Sequence, residues 1–330
     1  MIDFPLALPH RPRRNRKSAA VRELVRESRL APGQLIYPLF IKDGDGDEPI
    51  ASMPACARLS LDGLIREAEA AHALGIQAVV LFPFIAPELK SPRAEECANP
   101  DGLVPRAIAR LKSALPDLAV ITDVALDPYN SDGHDGLLSP DGEILNDETV
   151  SILCAQALCH ADAGADIVAP SDMMDGRIGA IRAALDHQEH TGVSLLAYSA
   201  KYASAYYGPF RGALDSSPRS GDKQSYQMDP ANAREALREA HLDEAEGADI
   251  LMVKPAGPYL DIISALRQTT TLPVAAYQVS GEYLMIKAAT AAGWLDEKKI
   301  VLESLLGIHR AGADMIFTYF AKDAARWLRA

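Results

Sequence analysis

One short phrase recurs along this chain: Ala163-Gly164-Ala165-Asp166, Glu246-Gly247-Ala248-Asp249 and Ala311-Gly312-Ala313-Asp314. Each follows a stretch whose apolar residues recur at helical spacing and precedes a short apolar run, so each reads as a glycine that stops a helix, then the entry of a strand. This is weak internal repetition of a helix–strand unit. The apolar runs predict strands at 35–41, 78–84, 118–124, 166–169, 194–201, 274–279 and 315–319, with one more ending at Lys254. Eight strands alternating with helices match an α/β fold, the (β/α)8 TIM barrel, better than an open doubly wound sheet. No phosphate-binding Gly-rich turn follows the first strand, which argues against a dinucleotide fold.

On this reading residues 35–330 form a single barrel domain, and 1–34 an extended N-terminal arm with a short amphipathic helix at Ser18 to Arg29. The arm opens with the basic run Arg11-Pro12-Arg13-Arg14-Asn15-Arg16-Lys17. Two readings stand open for it: an arm lying on an acidic neighbouring subunit, or a solvated tail. The whole chain carries a formal net charge of -12, which argues against nucleic acid as a partner. No apolar stretch reaches the roughly 20 residues that span a bilayer, and no signal-peptide pattern opens the chain. Cys56, Cys97, Cys154 and Cys159 show neither zinc-knuckle nor disulfide spacing, so they read as ordinary thiols in a reducing cytoplasm.

In such a barrel the chemistry sits at the carboxyl ends of the strands. Those ends supply Phe84, Asp123, Ser171-Asp172, Lys201, Lys254, Gln278 to Ser280, and Tyr319. Lys254 closes Ile250-Leu251-Met252-Val253, and Lys201 closes Ser194-Leu195-Leu196-Ala197-Tyr198-Ser199-Ala200. Two amines at one mouth, over an apolar floor, depress each other's pKa, and that turns a lysine into a nucleophile at neutral pH. The longest non-helical inserts, Ala125 to Asn146 and Tyr202 to Gln227, are expected to build the site and a lid. Arg211, Arg219 and Lys223 in the second are candidates for a substrate carboxylate.

With Met252-Val253-Lys254-Pro255-Ala256, Tyr198-Ser199-Ala200-Lys201-Tyr202 and Val168-Ala169-Pro170-Ser171-Asp172-Met173-Met174-Asp175-Gly176-Arg177, the chain closely resembles the 5-aminolevulinate dehydratase (porphobilinogen synthase) family. The resemblance runs from the Arg-rich start to Thr318-Tyr319-Phe320. It implies a lyase that joins two molecules of 5-aminolevulinate into porphobilinogen with loss of two waters, in a homo-octamer assembled through N-terminal arms. By the family pattern Lys254 binds the first substrate as a Schiff base and Lys201 the second. Arg211, Lys223 and Gln227 clamp one substrate carboxylate, Ser280 and Tyr319 hold the other, and Asp123 is a candidate for proton transfer. A Schiff-base aldolase acting on another small keto acid is the alternative.

Zinc-dependent members of that family carry three cysteines in the loop after the third strand. Here the corresponding positions are Ala125, Asp127 and Asp135, so no active-site zinc is expected. Asp127 and Asp135 either bind magnesium or fill the site with hydrogen bonds. A separate regulatory magnesium that tunes assembly is implied by Glu239.

Overall fold

A computed structural model of the chain describes residues 8–214, 216 and 218–329, and the side chain of Arg211 lies outside that description. Eight parallel strands close into a barrel: β1 (Leu35–Lys42), β2 (Ala78–Phe84), β3 (Ala119–Val124), β4 (Ile167–Pro170), β5 (Ser194–Lys201), β6 (Ile250–Lys254), β7 (Val274–Gln278) and β8 (Met315–Thr318). Each pairs with the next, and Leu35 and Ile36 of β1 close the ring on Ile316 and Phe317 of β8. The strands are buried almost throughout, as apolar runs covered on both faces must be.

Helices form the outer layer. In chain order they are α1 (Ala19–Leu24), α2 (Leu61–Ala73), α3 (Leu103–Ala114), α4 (Asn146–Asp162), α5 (Arg177–His187), α6 (Gly208–Leu214), α7 (Arg234–Ala245), α8 (Leu260–Thr269), α9 (Ser280–Ala291), α10 (Glu297–Ala311) and α11 (Ala321–Arg329). α1 is shorter than the Ser18 to Arg29 helix its spacing predicts. The Ser18 side chain caps its start, and the Arg29 guanidinium folds back onto the carbonyls of Glu23 and Arg26, at 2.8 and 3.1 Å, which ends it. The insert after β5 is not wholly irregular either, because it contains α6.

The recurring Gly-Ala-Asp phrase now has a structural meaning. Gly164, Gly247 and Gly312 stand at φ of 99, 104 and 131°, positions that end a helix and that side chains avoid. Each aspartate then reaches the neighbouring strand: Asp166 accepts from the Val120 amide at 2.7 Å, Asp249 from Leu195 at 2.7 Å and Asp314 from Val274 at 2.8 Å. The repeat therefore ties strand starts together at the bottom of the barrel. That leaves the opposite rim for chemistry.

Candidate active site

At that rim β5 and β6 end side by side. Ile250 and Leu251 pair with Leu196 and Ala197, whereas Val253 and Lys254 pair with Ala200 and Lys201, so β5 carries one extra residue between the two registers. A one-residue slip exchanges the faces of a strand. Without the bulge Lys254 would stand opposite Ala200; with it, the two lysines stand level on one face.

Lys254 is 7% exposed, and its Nζ lies 4.5 Å from the ring centre of Tyr277, 4.9 Å from Tyr198, 5.4 Å from Phe210 and 5.5 Å from Tyr207. Burial, then the charge of Lys201, pushes its ammonium down to about 7, against the opposing pull of Asp123. Lys201 donates to the Ser171 carbonyl and lies 3.3 Å from Asp135 Oδ1. Asp123, near the end of β3, lines the same cavity; burial pushes its carboxyl up to about 7, even though Lys254 and Lys201 pull it down.

Asp135 and Asp127 do not stand free. Lys223 Nζ lies 2.7 Å from Asp135 Oδ2 and 3.3 Å from Asp127 Oδ2, and Tyr226 donates to Asp135 at 3.0 Å. Burial alone would raise the Asp135 carboxyl, but Lys201 and Lys223 outweigh it and hold it well below the usual range. Ammonium groups occupy the places a cation would take. Among the described residues no three His, Cys, Asp or Glu side chains come together as a metal site.

The predicted residues divide between the lysines. Lys201, Lys223, Gln227, Asp127, Asp135 and Asp123 line one cavity with Lys254, and the Gln227 Oε1 in it has no partner. Ser280 and Tyr319 sit behind the Lys254 side: Ser280 Oγ accepts from the Phe210 amide at 3.1 Å, and the Tyr319 hydroxyl bonds that of Tyr277 at 3.1 Å. Arg219 is exposed, with its amide on the Asp132 carbonyl, and does not join the site. Glu239 is on α7, half-buried, in a separate cleft with Asp175, Asn232 and Glu235.

Sequence reasoning missed the aromatic box. Its members come from β5, β7 and the segment with α6, and no local pattern joins them. Phe82 could have been found, since it shares a strand face with the predicted Phe84 two residues on. In the structure Phe82 lines the cavity, while Phe84 lies under the Arg58 guanidinium at 3.9 Å. Phe210 brings α6 down as a cover, its ring 5.2 Å from Phe82 and 5.7 Å from Phe40.

A family model described as delta-aminolevulinic acid dehydratase matches residues 9–327. A chloroplastic delta-aminolevulinic acid dehydratase of Physcomitrium patens is 62% identical over 98% of this chain and 75% of its own length. One from Arabidopsis thaliana is 58% identical over 98% of this chain and 76% of its own. A crystal structure of the Toxoplasma gondii enzyme with its product porphobilinogen superposes with a TM-score of 0.97 at 56% identity, covering 98% of this chain and 92% of that one. These relatives run against the expectation of a cytoplasmic compartment: those at 58–62% identity are named chloroplastic.

Proposed function

The chain belongs to the delta-aminolevulinic acid dehydratase family, and we propose that it condenses two molecules of 5-aminolevulinate to porphobilinogen, with loss of two waters, through Schiff bases on Lys254 and Lys201. It is a lyase of tetrapyrrole synthesis. The observation that carries the two-lysine reading is the register that sets both amines level on one face of the barrel.

Each amine, when neutral, attacks a substrate ketone, and loss of water with uptake of one proton leaves a protonated imine, a better electron sink than the ketone. Burial and the charge of Lys201 push the Lys254 ammonium down to about 7, which favours the neutral amine. Asp123, pushed up to about 7, can give and take a proton in the same range. Lys223 and Gln227, with Arg211 from α6, take the carboxylate of the substrate on Lys201. That carboxylate would compete for Lys223 with Asp127 and Asp135 and release them toward the substrate ammonium. Ser280 and Tyr319 take the carboxylate of the substrate on Lys254.

The cover has a tight seat. A Cβ at Gly281 would stand 2.5 Å from the Tyr206 carbonyl oxygen, which precedes α6. Gly281→Ala is therefore expected to lift the cover and lower kcat/KM by roughly 10- to 100-fold, read by steady-state kinetics. Unchanged kinetics would show that closure does not depend on this contact.

Family members use metal ions, zinc or magnesium. The residues here do not fit an active-site zinc: the loop after β3 has no cysteine, and Asp127 and Asp135 are neutralised by lysines. Glu239 fits one carboxylate ligand of a magnesium ion that keeps most of its waters. Bound there, the ion would act on assembly and leave the chemistry to the lysines. The N-terminal segment 1–34 serves as an exchanged arm in a homo-octamer; Pro12–Arg16 and α1 bury no residue of their own, and their cations face a chain of net charge -12. The test is porphobilinogen formation by chelator-stripped protein with each metal added back. Product with magnesium stimulation and no zinc requirement is expected; no product from folded protein would sink the function, and a zinc requirement would sink the metal reading.

A further inference from the structure

Among the buried carboxylates that take no part in this chemistry, one reaches the chain just beyond Lys254. Glu282, in the first turn of α9, is 8% exposed. Its Oε2 accepts from the Val279 amide at 2.8 Å, an ordinary reach back to the helix start. Its Oε1 goes elsewhere, accepting from the Gly257 amide at 2.8 Å. Capping α9 needs only the first oxygen. The second holds the chain that leaves the tip of β6, three residues beyond Lys254.

The fit there is close. A Cβ at Gly257 would stand 2.6 Å from Glu282 Oε1, so the backbone approaches the carboxylate more nearly than any other residue would allow. On the opposite side the Lys254 carbonyl accepts from the Tyr202 amide at 3.0 Å and the Tyr207 hydroxyl at 3.2 Å. The end of β6 is thus pinned from the β5 side by Tyr202 and Tyr207 and from the α9 side by Glu282. Burial pushes the Glu282 carboxyl up to about 7 against the pull of its amides. A buried carboxylate whose hydrogen bonds come from amides is costly to keep, and an exposed glutamate would cap α9 without that cost.

We propose that Glu282 is a positioning residue that fixes the Lys254 backbone so that its amine meets the substrate ketone. This rests on the two-lysine reading above. It predicts an effect on Lys254 that Lys201, on another strand, does not share.

The experiment is borohydride trapping with 5-aminolevulinate, following the label on the Lys254 and Lys201 peptides over time by mass spectrometry. It compares the full-length wild type with Glu282→Gln, Glu282→Asp and Glu282→Ala, each with its melting temperature. Glutamine accepts one amide but turns an NH2 toward the other, so trapping at Lys254 is expected to slow about tenfold while Lys201 stays near wild type. Alanine should slow Lys254 at least as much, and aspartate should restore part of the rate. Wild-type trapping at Lys254 in the glutamine and alanine variants overturns the proposal, as does a parallel fall at both lysines that tracks melting temperature. No label on Lys254 in the wild type overturns the two-lysine reading and this proposal with it.

Discussion

Lys254→Met is expected to abolish porphobilinogen formation, by roughly four orders of magnitude or more, because no other group can carry the imine of that substrate. The same change is expected to raise the melting temperature. The Lys254 ammonium is pushed down to about 7 by burial and by Lys201, so the folded state disfavours its charge. For a lysine with a lowered folded pKa the penalty is fully present below the folded value and vanishes above the unfolded one, about 10.4. An apolar side chain of similar length removes that penalty and keeps the aromatic box filled. Activity lost with stability gained separates chemistry from folding; retained turnover would show that Lys254 is not the nucleophile. In the wild type kcat/KM should fall about tenfold per pH unit below 7 as the amine is protonated. Asp123, pushed up to about 7, titrates in the same range, so that limb belongs to the pair.

Which parts of this site could be read from sequence follows from how local each cause is. A strand buried on both faces must be a run of apolar residues, and the bounds of β2 and β5 match their runs. A glycine that ends a helix is equally local, as Gly164, Gly247 and Gly312 are. The lysines at the ends of β5 and β6 were visible for the same reason. Their alignment was not, since the extra residue in β5 is defined only by its pairing with β6. Glu282 looked like any first-turn glutamate, because its second bond goes to Gly257, 25 positions away. No expectation covers α11, although Ala321, Ala324, Ala325 and Leu328 recur at helical spacing, so this helix is legible in the sequence as well. The carboxylates at 127 and 135 were legible as a departure from a thiolate site, but what neutralises them comes from the insert after β5.

That neutralisation makes Asp135 the residue whose loss should damage the fold most. It lies 2.7 Å from Lys223 and 3.3 Å from Lys201, and the side chains of all three are at most 7% exposed. Asp135→Asn keeps the shape and the Tyr226 contact but leaves two buried ammonium groups short of a counter-charge, expected to cost about 3–5 kcal/mol. Asp127→Asn should cost less, since Asp127 lies 3.3 Å from Lys223, farther than Asp135 at 2.7 Å. The pH dependence has a definite sign. The Asp135 carboxyl is held below its unfolded value, so its contribution is complete above about 4 and drains away as pH falls toward the folded value. The wild-type melting temperature should therefore drop steeply under acid, and Asp135→Asn should lie low already at pH 7 with a flatter acid limb. A loss at pH 7 under about 1 kcal/mol would mean the triad is worth no more than a surface pair. The same melts repeated with chelator decide between lysine and metal: wild-type stability that falls on chelation, and a variant that no longer responds, would assign Asp127 and Asp135 to a cation.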